Sequence, residues 1–137
     1  MTSRIVADSV IVDASAMVDL LVGSPIAVAV HDRLRGHEIH VPAHFDAEVL
    51  SALGRLQRAG EMTVRQVNTR LQRVSAAPIE RHLLAPLLIG AWKLRHNLRL
   101  VDALYVELAN RLDVPVVTTD PRLAAASPVA DLLPAND

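Results

Sequence analysis

The chain has 137 residues, enough to close one core and too few for two domains of common size. Hydrophobic residues make up 51% and charged residues 21%, which excludes a disordered tail; the absence of cysteine excludes a disulfide framework and a Cys-ligated zinc or iron–sulfur site. The formal net charge of −1 hides an asymmetry: residues 1–48 carry three Arg against seven acids, residues 49–100 nine Lys and Arg against two acids, and residues 101–137 two Arg against six acids.

Val10, Ile11 and Val12 form a short apolar run that stops at Asp13 and predicts a buried strand. Ala14, Met17, Val18 and Leu21 recur at helical spacing, and Gly23 ends that helix. Pro25 opens a second helix to Leu34, and residues 38–41 read as a strand closed by Pro42. A long helix over 43–59 carries Phe45, Val49, Leu53 and Leu56 on one stripe and stops at Gly60. Thr63 caps a helix to Val74; residues 79–83 read as a short strand. Pro86 starts a helix with Leu87, Leu88, Ala91 and Leu94, and residues 101–112 are strongly helical. Residues 114–118 read as a strand, Asp120-Pro121 as the start of a short helix, and 129–132 as an edge strand, with fraying expected over 134–137. Alternating strands and helices predict one α/β/α domain over 1–137 around a parallel sheet. With three aromatics, Phe45, Trp92 and Tyr105, the core must come from Leu, Val, Ile and Ala. No apolar run approaches the roughly 18 residues of a membrane span, and MTSRIVADS is not followed by a signal-type apolar block, so a cytoplasmic protein without membrane association is expected.

Taken singly, the acids have ordinary explanations. Asp13 and Asp120 suit helix N-caps, Asp102 suits a first turn, and Glu48 suits a helix surface. Their joint placement is less ordinary. Asp13 and Asp120 each follow an apolar strand, so both fall at carboxyl ends, where parallel sheets bind ligands. Glu48 lies about 60° from Phe45 around its helix and borders the buried stripe, and Asp102 sits at a helix start. Four carboxylates gathered in one crevice repel unless a cation joins them. An all-oxygen donor set suits Mg²⁺ or Mn²⁺, which can activate a water for in-line attack on phosphorus. Ser15, Thr118 and Thr119 are nearby hydroxyls, with Thr119 better read as strand propensity or a cap.

The stretches IVDASAMVDLL (11–21), VPAHFDAEVLSALGRL (41–56), LRLVDALYVELANRL (98–112) and VPVVTTDPRL (114–123) resemble the PIN-domain ribonucleases, and among them the VapC-type toxins of toxin–antitoxin modules. The resemblance is strongest over 9–125 and fades after Ala126, leaving residues 126–137 without an assigned role. It implies an α/β/α sandwich, Mg²⁺- or Mn²⁺-dependent RNA cleavage leaving a 5′-phosphate and a 3′-hydroxyl, a homodimer, and an antitoxin that lays an apolar segment and a basic side chain into or near the acidic pocket. By position it assigns Asp13, Glu48, Asp102 and Asp120 to the metal and the catalysis, and Ser15 and Thr118 to the supporting hydroxyls.

Arg55, Arg58, Arg65, Arg70 and Arg73 read from charge alone as solvated helix faces. The resemblance makes them candidates for phosphate contacts with RNA, together with Arg95 and Arg99. His37, His40 and His44 with Glu48 could suggest a metal cluster, but His37 and His40 straddle a strand, and the histidines read as surface or interface residues. Other readings are a phosphoacceptor domain, which needs a lysine after a late strand whereas Lys93 is helical, a DNA nuclease, and a binding module whose acids only cap helices.

Overall fold

In the computed structural model, which describes residues 8–134, the Val10-Ile11-Val12 run is fully buried as the middle strand of a five-stranded parallel sheet. The elements in chain order are β1 (Ser9–Val12), α1 (Ala14–Val22), α2 (Ala27–Leu34), β2 (Glu38–Pro42), α3 (Phe45–Arg58), α4 (Val64–Ala76), β3 (Ile79–His82), a 3₁₀ turn (Ala85–Leu87), α5 (Leu88–Lys93), α6 (Leu100–Leu112), β4 (Val116–Thr118), α7 (Pro121–Ala126) and β5 (Ala130–Leu132). Strand order is β3-β2-β1-β4-β5, and every neighbouring pair is parallel. The α/β sandwich expected from the sequence is the fold observed. The fraying expected over 134–137 falls, beyond Pro134, outside the described residues.

Helices cover the sheet as their apolar stripes dictate. α1 packs against α2 and α3, and α3 against α4; α6 crosses β1, β2 and β4 and carries α5 on its flank. Phe45, Val49 and Leu53 on α3 and Tyr105 on α6 are completely buried, each worth roughly 1.5–3 kcal/mol of apolar transfer. Trp92, the third aromatic, is 53% exposed, so it contributes little to the core. The Glu107 carboxylate of α6 lies against Gly90 of α5, in the place a Cβ would take.

Element ends differ from expectation where the backbone finds other partners. Residues 24–26 form a turn, with Ala27 N donating to the Ser24 carbonyl (2.9 Å), so α2 starts at Ala27 and not at Pro25. α3 starts at Phe45, because Ala43 N still donates to His82 O (2.8 Å) and prolongs the β2–β3 ladder. β4 begins at Val116, since Pro115 has no N–H to give. Gly23 caps α1 in the left-handed region (φ 69°), as expected. No single helix among the described residues is long and apolar enough to cross a membrane.

Candidate active site at the centre of the sheet

β1 and β4 are neighbours, with Ile11 opposite Val116 and Val12 opposite Val117. From β1 the chain moves to β2 and β3 on one side; from β4 it moves to β5 on the other. The connections diverge and leave a crevice at the carboxyl ends of β1 and β4, the switch point where open parallel sheets take ligands. Asp13 is the first residue after β1, and Asp120 the second after β4.

Asp13 is 6% exposed. It caps α1, accepting from Ala16 N (2.9 Å) and Ser15 Oγ (2.7 Å) at Oδ1, and a short hydrogen bond from Thr118 Oγ1 at Oδ2. These partners are two hydroxyls and an amide, none of them charged. Burial pushes the Asp13 carboxyl above its ordinary value; the hydrogen bonds pull it back, and the charge of Asp120 raises it further. The hydroxyls interlock the two strand ends. Thr118 Oγ1 accepts from Asp120 N (3.0 Å), and Ser15 Oγ accepts from Thr119 N (3.3 Å). Asp120 caps α7, accepting from Arg122 N (2.9 Å). For both aspartates the capping role and the place in the crevice hold together.

Glu48 comes to the same crevice from the first turn of α3. Its Oε1 accepts from Tyr105 Oη (2.7 Å) and lies 3.4 Å from His44 Nε2. Burial pushes the Tyr105 phenol far above its usual range, helped by the charge and hydrogen bond of Glu48 and by the charge of Asp13. Tyr105 therefore stays a proton donor. His44 Nε2 also lies 2.8 Å from the Val101 carbonyl, which only accepts, so Nε2 carries the proton. Its buried Nδ1 has no partner among the described residues. Asp102, in the first turn of α6, is gripped by Arg99 through Nε (2.9 Å) and Nη2 (3.3 Å). The Arg99 guanidinium is raised chiefly by its bond to Asp102 and that carboxylate's charge, then by Asp120 and Glu48.

The crevice thus brings Asp13, Glu48, Asp102 and Asp120 into one electrostatic neighbourhood, with Ser15 and Thr118 beneath. The acids are not drawn into a tight ligand cluster; among the described residues the one group of three donors within 4.8 Å of one another is His40, Glu80 and His82. Arg99 pairs with Asp102 at 2.9 Å, and Arg122 lies 3.4 Å from Asp120. The donor set fits a hard divalent ion: every donor is a carboxylate oxygen, and Asp13 is buried without a counter-charge.

Of the basic residues singled out, Arg99 alone touches these acids. Arg55 and Arg58 are exposed at the far end of α3, about 10 and 15 Å along the axis from Glu48 at 1.5 Å per residue. Arg95 lies 4.6 Å over the Trp92 ring, and Arg70 is spent on the Leu21 carbonyl (2.9 Å). Sequence reasoning missed Tyr105 as the partner of Glu48, although it is the only tyrosine and stands three residues from Asp102. It also missed Asp19, which accepts from Thr119 Oγ1 (2.6 Å), so Thr119 is neither a cap nor a mere strand former. His40 is buried, not a surface residue.

A PIN-domain family model matches residues 10–127. The chain belongs to the PIN-domain family. Ribonuclease VapC3 of Mycobacterium tuberculosis is 56% identical over 124 residues, covering 90% of each chain. Two solved structures share the PIN fold. M. tuberculosis VapC20, described as a sarcin-ricin loop cleaving toxin, has a TM-score of 0.64 at 19% identity, covering 87% of this chain and 95% of that one. A toxin–antitoxin complex from Klebsiella pneumoniae has a TM-score of 0.67 at 16% identity, covering 90% of this chain and 96% of that one.

Proposed function

We propose that this PIN-domain protein is an endoribonuclease, the toxin of a toxin–antitoxin pair, acting on RNA in the cytoplasm. The observation that carries the reading is Asp13, a carboxylate buried at the switch point with Asp120 beside it and no positive partner. A charge so placed is tolerable when a cation completes the site. Asp13, Glu48, Asp102 and Asp120 would hold Mg²⁺, with Mn²⁺ as a substitute. When bound, the ion supplies Lewis acidity toward a water and the scissile phosphate.

The chain's own groups supply the positioning. Ser15, Thr118 and the α1 amide fix Asp13; Tyr105 fixes Glu48; the start of α7 fixes Asp120. Water adds to phosphorus and the P–O3′ bond breaks; O3′ leaves with a proton as a 3′-hydroxyl, and the other product keeps a 5′-phosphate. RNA phosphates would meet Arg99 at the mouth, then Arg95, Arg55 and Arg58 farther out. The antitoxin would lay an apolar segment and a basic side chain at the acidic mouth, which already accepts guanidinium groups from Arg99 and Arg122. A homodimer would form on the α5–α6 side, where Leu88, Ile89, Trp92, Leu100 and Val101 are exposed.

The test is cleavage of a labelled RNA with Mg²⁺. Asp13→Asn and Asp102→Asn should each lower the rate at least about 100-fold, some 2.7 kcal/mol of transition-state stabilisation, while circular dichroism stays native. Full cleavage by either variant overturns the assignment, and equal cleavage of matched DNA overturns specificity for RNA.

A further inference from the structure

A second cluster of metal-binding side chains lies away from the acidic crevice, on the β2–β3 edge. Ile39 and Ile79 turn toward α1, α2 and α4 and line an apolar groove there with Met17 and Leu34. Strand alternation sends Glu38, His40, Glu80 and His82 to the opposite face. Register places His40 opposite Glu80, and His82 opposite Pro42 one step on. His40 is 7% exposed, although its type and its neighbours are polar.

His40 Nδ1 and His82 Nε2 stand 2.9 Å apart, and Glu80 Oε2 lies 3.5 Å from the same Nδ1. All three donor atoms fall within 4.8 Å of one another. On its other side, His40 Nε2 lies 2.8 Å from Glu38 Oε1. A carboxylate accepts, so Nε2 carries the proton and a neutral His40 accepts at Nδ1; His82 Nε2 then donates across the 2.9 Å contact, and an ion entering between the two nitrogens displaces that one proton. That is the carboxylate–histidine–metal arrangement, in which the outer carboxylate fixes the tautomer and strengthens the ligand. Two imidazole nitrogens on a tetrahedral zinc stand about 3.3 Å apart, given Zn–N bonds near 2.0–2.1 Å. The observed spacing needs an opening of only about 0.4 Å to meet that geometry.

We propose that His40, His82 and Glu80 form a binding site for a borderline-soft divalent ion, best suited to Zn²⁺, with Glu38 orienting His40. Two nitrogens and one oxygen favour Zn²⁺ over the Mg²⁺ that suits the acid crevice. The ion would clip edge strand β3 to β2. Because Ala43 N donates to His82 O just before α3 begins, the clip would also steady the helix that carries Glu48. The proposal does not rest on the nuclease reading.

The experiment uses chelator-stripped full-length protein titrated with Co²⁺, followed by the visible absorption of tetrahedral cobalt, then displaced by Zn²⁺. The tetrahedral band should appear in the unsubstituted protein and persist in an Asp13→Asn/Asp120→Asn variant, which disables the acid crevice and in which the band should saturate at one equivalent. Glu80→Ala, a change at an exposed position, and His82→Ala should each abolish the band, with circular dichroism checking the fold of the latter. Glu38→Gln should weaken binding by roughly 10–100-fold while leaving the three donors in place. No band in the unsubstituted protein, or an undiminished band in Glu80→Ala, overturns the site.

Discussion

Asp13 caps a helix and at the same time carries the cost of a buried carboxylate. Its bonds from Ala16 N and Ser15 Oγ secure the start of α1 and that from Thr118 ties it to β4, yet burial lifts its carboxyl above the ordinary 3.8. On unfolding it returns to the ordinary value, so between the two values the folded state holds more protons. Stability from this group is therefore fully present below the ordinary value and is lost as pH rises through the raised one. In divalent-free buffer the melting temperature of Asp13→Asn should gain on the native protein as pH goes from 4 to 7. Adding Mg²⁺ at pH 7 should raise the melt of the native protein and leave that of Asp13→Asn nearly unmoved. A constant gap across pH would show that the buried charge is not the cost. In the proposed reaction Tyr105 acts through Glu48, to which it donates a hydrogen bond. Tyr105→Phe keeps the ring that fills the core and removes one hydrogen bond to a charged group, worth about 1.5–3 kcal/mol. The Mg²⁺ concentration for half-maximal cleavage should rise roughly tenfold, about 1.4 kcal/mol; an unchanged Mg²⁺ curve would refute the positioning role.

Among the elements, β3 is one of the two edge strands, and two devices hold it. One is the β2 ladder. The other is Arg81, which donates to Asp46 Oδ2 (2.7 Å) and Oδ1 (3.0 Å) on α3 and to Val74 O (3.0 Å) on α4. Its planar fork joins three elements, and Lys cannot reproduce that geometry. Arg81→Ala should cost about 1–3 kcal/mol in urea denaturation, since it removes the two-pronged bond to Asp46 and a hydrogen bond to the Val74 carbonyl. Arg81→Lys should recover less than half of the loss. Losses below about 0.5 kcal/mol would class the pair with ordinary surface ion pairs. Because α3 starts two residues beyond β2, this anchoring reaches Glu48, and cleavage by Arg81→Ala should weaken before the fold is lost.

For the whole molecule, the exposed apolar residues of α5 and the start of α6 are the feature that calls for a partner surface. Trp92 is 53% and Ile89 70% exposed, an expensive display for residues whose aromatic and branched relatives fill the core. Sedimentation equilibrium should give a dimer mass, and Ile89→Asp/Trp92→Asp should give a monomer with an unaltered circular dichroism spectrum. A native protein that sediments as a monomer at micromolar concentration would remove the homodimer proposal.

Local rules made most of the fold legible. The Val10–Val12 run stopped by Asp13, the α3 stripe of Phe45, Val49 and Leu53, and the Thr63 cap each depend on neighbours a turn or a strand step away. So do the capping positions of Asp13 and Asp120, which is why those two candidate residues are legible from their place after strands. What pairs across the sheet is set by chain path and packing, which local pattern does not encode. Tyr105 meets Glu48 across 57 residues, Thr119 meets Asp19 across 100, and His82 meets His40 across 42. The sequence determined that strands and helices alternate and that acids end the strands. Only the tertiary structure decided which hydroxyls, rings and arginines stand around those acids, because side-chain partners are chosen by which faces are buried together.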